Sequence, residues 1–207
     1  MQGWWRRDPF FARYMLREAT ALAAAAYAIV LMVGVLRLAQ GEAAWNGWLA
    51  ALRTPGSMLL HAVLRVAMGV HAKSWFETMP QTLPMMVVGG RPVTDATITR
   101  IGWAAALLAS LGLLALVFIT GLAVPLGWPL SADLLSYPRM LAFAQHWLGK
   151  AFLLAVIALF AWHAAHRLLC SLHDLGIHKV LVAKLVGYGA AFCISLIAAI
   201  SLVSLGG

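Results

Sequence analysis

ATALAAAAYAIVLMVGVL, residues 19–36, runs for 18 positions without a charged side chain, and this stretch decides the fold class. A helix advances about 1.5 Å per residue, and crossing the hydrocarbon core of a bilayer takes roughly 20 apolar residues, so the run is a membrane span. Arg17 and Glu18 stand before it and Arg37 after it, at the depths where lipid gives way to water. The rest of the chain has the same character. Of 207 residues, 63% are hydrophobic and only 11% charged, against about 25% charged in an ordinary soluble domain, and the mean hydropathy is +0.87. The net charge of +8 comes from basic residues at the ends of apolar runs, where orientation in a membrane explains them, so nucleic acid is excluded as a partner. Cys170 and Cys193 make no CxxC pair and sit in apolar runs, which predicts buried free thiols rather than a disulfide or metal site.

On the N-terminal side, MQGWWRRDPFFARYMLRE (1–18) mixes aromatics with charges where a signal peptide needs an apolar stretch, and reads as an amphipathic segment at the interface. Beyond Leu36, Trp45 and Trp48 mark an interfacial stretch. A second span starts after Thr54-Pro55-Gly56 and runs to about His71, interrupted by His61 and Arg65. Ala72 to Arg100 is polar, holds Pro80, Pro84, Gly89, Gly90 and Pro92, and is expected to be a loop, with Thr94 or Asp95 capping the next helix. The third span is Ile101 to Val124, stopped by Pro125, Gly127 and Pro129; the fourth runs from Met140 to Ala165 and contains Lys150; the fifth runs from Leu185 to Leu205. The expected fold is an all-α membrane protein, a bundle of five transmembrane helices. With the N-terminus in the cytoplasm, that face holds Arg6, Arg7, Arg13, Arg17, Lys73, Arg91, Arg100, Arg167, Lys179 and Lys184, and the outer face only Arg37, Arg53 and Arg139. The excess of basic residues therefore places the C-terminus outside.

Ionisable groups in membrane segments cost roughly 2.5–3.5 kcal/mol on insertion scales and point to function. Folded into five spans, the chain collects Arg17 and Glu18, His71 and Trp75, and His166 and Arg167 at the cytoplasmic edge. A carboxylate, two imidazoles, two guanidiniums and an indole at one depth can bind a flat carbonyl ring and move protons, with Glu18 as the proton acceptor; singly, each is also an ordinary interfacial anchor. A haem needs two axial ligands at matched depth. His61 lies about 15 Å from His71 along the helix, level with Tyr27, Val156 and Ser195, none of them histidine, so no haem is expected. His61 and Arg65, at i and i+4, are expected to meet inside the bundle.

The stretches WWRRDPFFARYMLREAT, GEAAWNGWL and HAKSWFETMP resemble the C-type membrane anchor of four-subunit bacterial fumarate reductase, and PLGWPLSADLLSYPRMLAFAQ, GKAFLL and HAAHRLLCSLHDLGIH resemble its D-type anchor. The chain thus resembles both anchors fused: 1–118 as the C-type part with spans one to three, 119–207 as the D-type part with spans four and five, Ile101–Val124 standing for one helix of each. Merging them deletes the cytoplasmic start of the D-type anchor, whose tryptophan lines the quinone pocket in the family; Trp103 is the candidate replacement. The resemblance implies that Arg17, Glu18, His71, Trp75, His166 and Arg167 bind menaquinone or another quinone, that the anchor holds no haem, and that FAD and iron-sulfur clusters reside in partner subunits, a flavoprotein and an iron-sulfur protein. It further implies a multi-pass subunit of the bacterial inner membrane that oxidises quinol within an oxidoreductase complex and has no fumarate turnover alone. Two other readings are a haem b-containing five-helix anchor of succinate dehydrogenase type and, from another class, a small membrane transporter, against which the chain shows neither an internal repeat nor a pair of broken helices.

Overall fold

The computed structural model describes residues 9–117, 135–175 and 180–206. Among them the chain forms α1 (Pro9–Ala19), α2 (Ala21–Ala39), α3 (Glu42–Leu52), α4 (Pro55–Thr82), a two-residue hairpin of β1 (Val87–Val88) and β2 (Arg91–Pro92), α5 (Asp95–Val117), α6 (Tyr137–Gln145), α7 (Trp147–Asp174) and α8 (Val180–Ser204). It is an all-α membrane protein. Three helical segments among the described residues are long and apolar enough to cross a bilayer: Pro9–Ala39, Trp147–Leu172 and Leu181–Ser204. The length of α4, 28 residues, would also suffice, but His61, Arg65 and His71 dilute its apolar run. The remainder of the expected third span (118–124), its Pro125, Gly127 and Pro129 stop, and Arg6, Arg7, His178 and Lys179 lie outside the described residues.

The core is where α2, α7 and α8 pack on one another. Towards one end Ala28, Ala161, Ala165 and Ala191 meet; small side chains let backbones approach closely, which matters in lipid because burial of apolar surface gives no drive for helices to associate there. Towards the other end Val35, Leu38, Ile157, Ala198, Leu202 and Leu205 close around Trp45 and Ala144. Trp45 is only 3% exposed, and its indole N–H donates to the Leu135 carbonyl at 2.8 Å, so it is a core residue rather than an interfacial marker. Trp48 lies against Gly34, where a Cβ would sit 2.8 Å from the ring.

Three expectations are corrected. The second helix does not end near His71; α4 continues to Thr82 with Pro80 inside it. Proline removes the N–H that would bond the carbonyl four residues back, and the freed Phe76 carbonyl accepts instead from Thr99 Oγ1 of α5 at 3.2 Å. The loop therefore shrinks to the hairpin around Gly89 and Gly90, both at positive φ, a region open to glycine at no steric cost. Thr94 does cap α5, accepting from the Thr97 N–H at 3.3 Å. The fourth span is not continuous from Met140: the chain turns extended at His146 (ψ 135°), whose ring accepts from the Leu148 N–H at 3.3 Å and so caps α7. Finally, the cysteines are free, but Cys193 is exposed and Cys170 half-buried, because α8 turns Cys193 away from the core.

Candidate functional site

The site forms where the end of α1, the middle of α4 and the end of α7 converge. Glu18 is 2% exposed and both of its carboxylate oxygens accept from the Arg167 guanidinium. Arg17 approaches the same carboxylate at 3.7 Å. Removing two opposite charges from water is costly unless geometry and further hydrogen bonds compensate; here one guanidinium nitrogen meets both oxygens, and Arg167 also lies 4.8 Å from the centre of the Trp75 ring, a cation–π contact. The ion pair fixes Arg167 over the indole.

His71, 7% exposed, lies beside this pair. Its Nδ1 is 2.8 Å from Thr20 Oγ1, and its Nε2 is 3.0 Å from Nε2 of His163 on α7. Trp75 sits one turn beyond His71 and meets both imidazoles, at ring-centre distances of 6.4 Å and 6.3 Å. Arg17 donates to Thr78 Oγ1 at 3.1 Å and stacks over Tyr14 at 5.2 Å, and the Tyr14 hydroxyl donates to Asp174 at 2.7 Å, tying α1 to the end of α7.

Between these groups lies a cavity of about 190 Å³ lined by Tyr14, Arg17, Ser74, Trp75, Thr78, Thr82 and Arg167. A cavity of about 150 Å³ accommodates benzene, so this one is the right size for a single six-membered ring. Its wall offers an aromatic face, two guanidiniums and hydroxyls, which suit carbonyl oxygens at the ring's edge. The Arg167 Nε–H is buried and has no acceptor among the described residues. The donor set fits a quinone ring.

Of the residues expected at one depth, Arg17, Glu18, His71, Trp75 and Arg167 come together. His166 does not join them: its Nδ1 is 3.1 Å from the Tyr188 hydroxyl of α8, since successive helix positions differ by about 100° and Arg167 takes the inward direction. Trp103 packs on Phe76 at 4.5 Å and is not among the residues lining the cavity. His61 meets Tyr27 at 5.8 Å, as the depth comparison aligned them, rather than Arg65, which is exposed and unpaired among the described residues. His163 is not among the residues expected from the sequence at this site. Its signal is the spacing His163-x-x-x-Arg167, which puts both on one helix face; Ser74 and Thr78 stand in the same relation.

Comparison with known proteins gives the family. The family model for the C subunit of fumarate reductase matches residues 1–118, and that for the D subunit of fumarate reductase matches residues 101–203, so the two overlap at residues 101–118, largely within α5. The fumarate reductase C subunit of Vibrio parahaemolyticus serotype O3:K6 (strain RIMD 2210633) is 37% identical over 114 residues, 55% of this chain and 89% of the relative. Its counterpart in Photobacterium profundum is 36% identical, again over 55% and 89%, and that of Aliivibrio fischeri (strain MJ11) is 35% identical over 56% and 89%. The chain belongs to the family of fumarate reductase C-type membrane anchors, with a D-type part in the same polypeptide.

Proposed function

We propose that this chain anchors a quinol:fumarate reductase in the bacterial inner membrane and binds menaquinol at its cytoplasmic side. Electrons pass to an iron-sulfur subunit and on to a flavoprotein that holds FAD and reduces fumarate; the anchor alone has no fumarate turnover. The observation that carries this reading is the ring-sized cavity walled by Trp75 with the unsatisfied Arg167 N–H beside it, in a chain of the anchor family. Trp75 supplies a flat apolar surface. Arg17 and Arg167 hold hydrogen-bond donors towards the ring's oxygens, Glu18 fixes Arg167 and is the proton acceptor in exchange with water, and His71 lies behind Trp75, in contact with its ring. His166, turned to Tyr188, supports α7 from behind. The quinol, when bound, supplies two electrons and two protons.

The test uses the chain expressed with its flavoprotein and iron-sulfur partners, in membranes. Quinol-driven fumarate reduction is compared with reduction driven by a viologen dye, which delivers electrons to the soluble subunits directly. We expect both activities and a quinone co-purifying with the complex. Viologen-driven turnover without quinol-driven turnover overturns the quinol site, and failure of the flavin and iron-sulfur chains to co-purify overturns the anchor role and favours a transporter.

A further inference from the structure

The contact between His71 and His163 has a direction that hydrogen-bond counting reveals. The Thr20 hydroxyl donates its one hydrogen to the Arg17 carbonyl, so towards His71 Nδ1 its oxygen can only accept, and Nδ1 of His71 carries a hydrogen. The 3.0 Å separation of the two Nε2 atoms requires that one be bare and the other protonated. With its hydrogen on Nδ1, a neutral His71 has a bare Nε2, which accepts from the Nε2–H of His163. The free nitrogen of the pair is then Nδ1 of His163, on an exposed side chain, whereas His71 is buried against Thr20.

We propose that His71 and His163 form a proton-accepting dyad, oriented by Thr20, that takes one of the two protons released on quinol oxidation. The inference rests on the quinol-site reading above. The quinol gives up two electrons, singly, to the iron-sulfur cluster of the partner subunit, and two protons. One proton goes to the dyad and the other to water by way of Glu18. At the dyad a proton joins Nδ1 of His163, the hydrogen on Nε2 crosses to Nε2 of His71, and the result is a neutral His163 with its hydrogen on Nδ1 and an imidazolium at His71. The charged groups around the pair are Arg17 and Glu18 from α1 and Arg167 from α7, with His166 three positions beyond His163. Of these, the Glu18 carboxylate favours an imidazolium at His71, whereas burial, Arg167 and Arg17 oppose it, so the charge at His71 is transient and passes on. Entry to the relay is through His163, so a side chain there that can hydrogen-bond but cannot carry a proton breaks it.

Two measurements on the assembled complex test this. In lipid, ring-¹⁵N-histidine NMR of the wild-type complex should show His71 protonated on Nδ1 and His163 on Nε2, with a scalar coupling across the N–H···N bond; the opposite tautomers, or no coupling, overturn the dyad. In turnover, His163→Gln should lose about 10²-fold in quinol-driven rate, the lower range for a general acid–base group, and change the shape of its pH profile, while viologen-driven turnover keeps its rate and profile. Should His163→Gln not assemble, Thr20→Val serves instead: it frees the His71 tautomer and should abolish the coupling and slow quinol turnover. Quinol-driven turnover at the wild-type rate and pH profile in an assembled variant overturns the dyad alone. A wild-type complex with viologen-driven but no quinol-driven turnover overturns the quinol-site reading and the dyad's role with it.

Discussion

At Glu18 one buried carboxylate serves two guanidiniums, and that arrangement governs what a single substitution does. Glu18→Gln keeps the size but turns an N–H towards Arg167 and leaves its charge uncompensated. Breaking a buried pair costs about 3–5 kcal/mol; Arg167 is 19% exposed, which puts the expected loss near the lower figure, read as a lowered unfolding midpoint of the complex. Quinol-driven turnover should fall by about 10²–10⁴-fold, as for loss of a proton acceptor, with viologen-driven turnover kept in the complex that remains. A second prediction concerns the facing histidines. Iron held between two imidazoles needs their nitrogens about 4 Å apart, twice a metal–imidazole bond of about 2.0–2.1 Å, as well as a porphyrin-wide slot. His71 and His163 are at 3.0 Å with Trp75 against both rings. The pyridine haemochrome assay on the purified complex should therefore show no haem; a stoichiometric b-type signal would reassign the pair as axial ligands. At this scale the sequence disclosed the residues that stand beside charge: Arg17-Glu18 and His166-Arg167 are legible because charges at span ends are few. It did not disclose His163, Thr20 or Thr78, whose roles depend on which faces of α1, α4 and α7 meet, or that Arg167 rather than His166 turns inward.

Among the elements, apolar runs were legible and breaks were not. The chain shows α2, α7 and α8 as long apolar stretches with charges only near their ends, because lipid tolerates little else. The continuation of α4 through Pro80 depends on a threonine 19 positions later on another helix, a tertiary rescue invisible to local rules. The break at His146 likewise depends on its own ring serving as a cap. Two substitutions test the packing of these elements. Gly34→Val places side-chain atoms where a first carbon already meets Trp48 at 2.8 Å. The indole cannot retreat without disturbing buried Trp45, with which it is in ring contact at 4.9 Å, so the variant should lose about 1–3 kcal/mol, seen as a lower unfolding temperature of the anchor with the quinol site unaffected in what remains folded. Arg65→Leu should do the opposite. Arg65 is exposed on α4 and unpaired among the described residues, so leucine removes a charge that no contact within the chain uses; assembly and quinol-driven turnover should equal wild type, and loss of quinol turnover alone would give Arg65 a part in the reaction.

Over the whole molecule, two clamps at opposite ends of α7 tie it to the last turn of α1 and to the end of α8. At one end Lys150 Nζ donates to the Gly206 carbonyl at 2.9 Å and Gln145 donates to the Leu205 carbonyl at 3.0 Å, holding the end of the chain beside the start of α7. At the other end Arg167 holds Glu18, in the last turn of α1. Lys150 and Arg167 are about 25 Å apart at 1.5 Å per residue, close to the roughly 30 Å thickness of the hydrocarbon core. On the expected five-span arrangement, the first described helix and the end of α8 meet the membrane on opposite faces, as an odd number of crossings requires. Basic residues give the expected orientation: Arg13 and Arg17 precede α2, Lys73 stands in the second half of α4, Arg91 in the hairpin, Arg100 near the start of α5, Arg167 near the end of α7 and Lys184 near the start of α8, against Arg37, Arg53 and Arg139 at the other end. The expected arrangement is five spans with the N-terminus in the cytoplasm. Alkaline phosphatase, which folds only outside the cytoplasm, should be active when fused after Gly207 or inserted at Gly41, and inactive when inserted at the Gly89-Gly90 turn. An inactive fusion at Gly207 together with an active one at Gly41 would mean an even number of crossings, and would separate the Lys150 clamp from the Glu18 clamp by less than a bilayer.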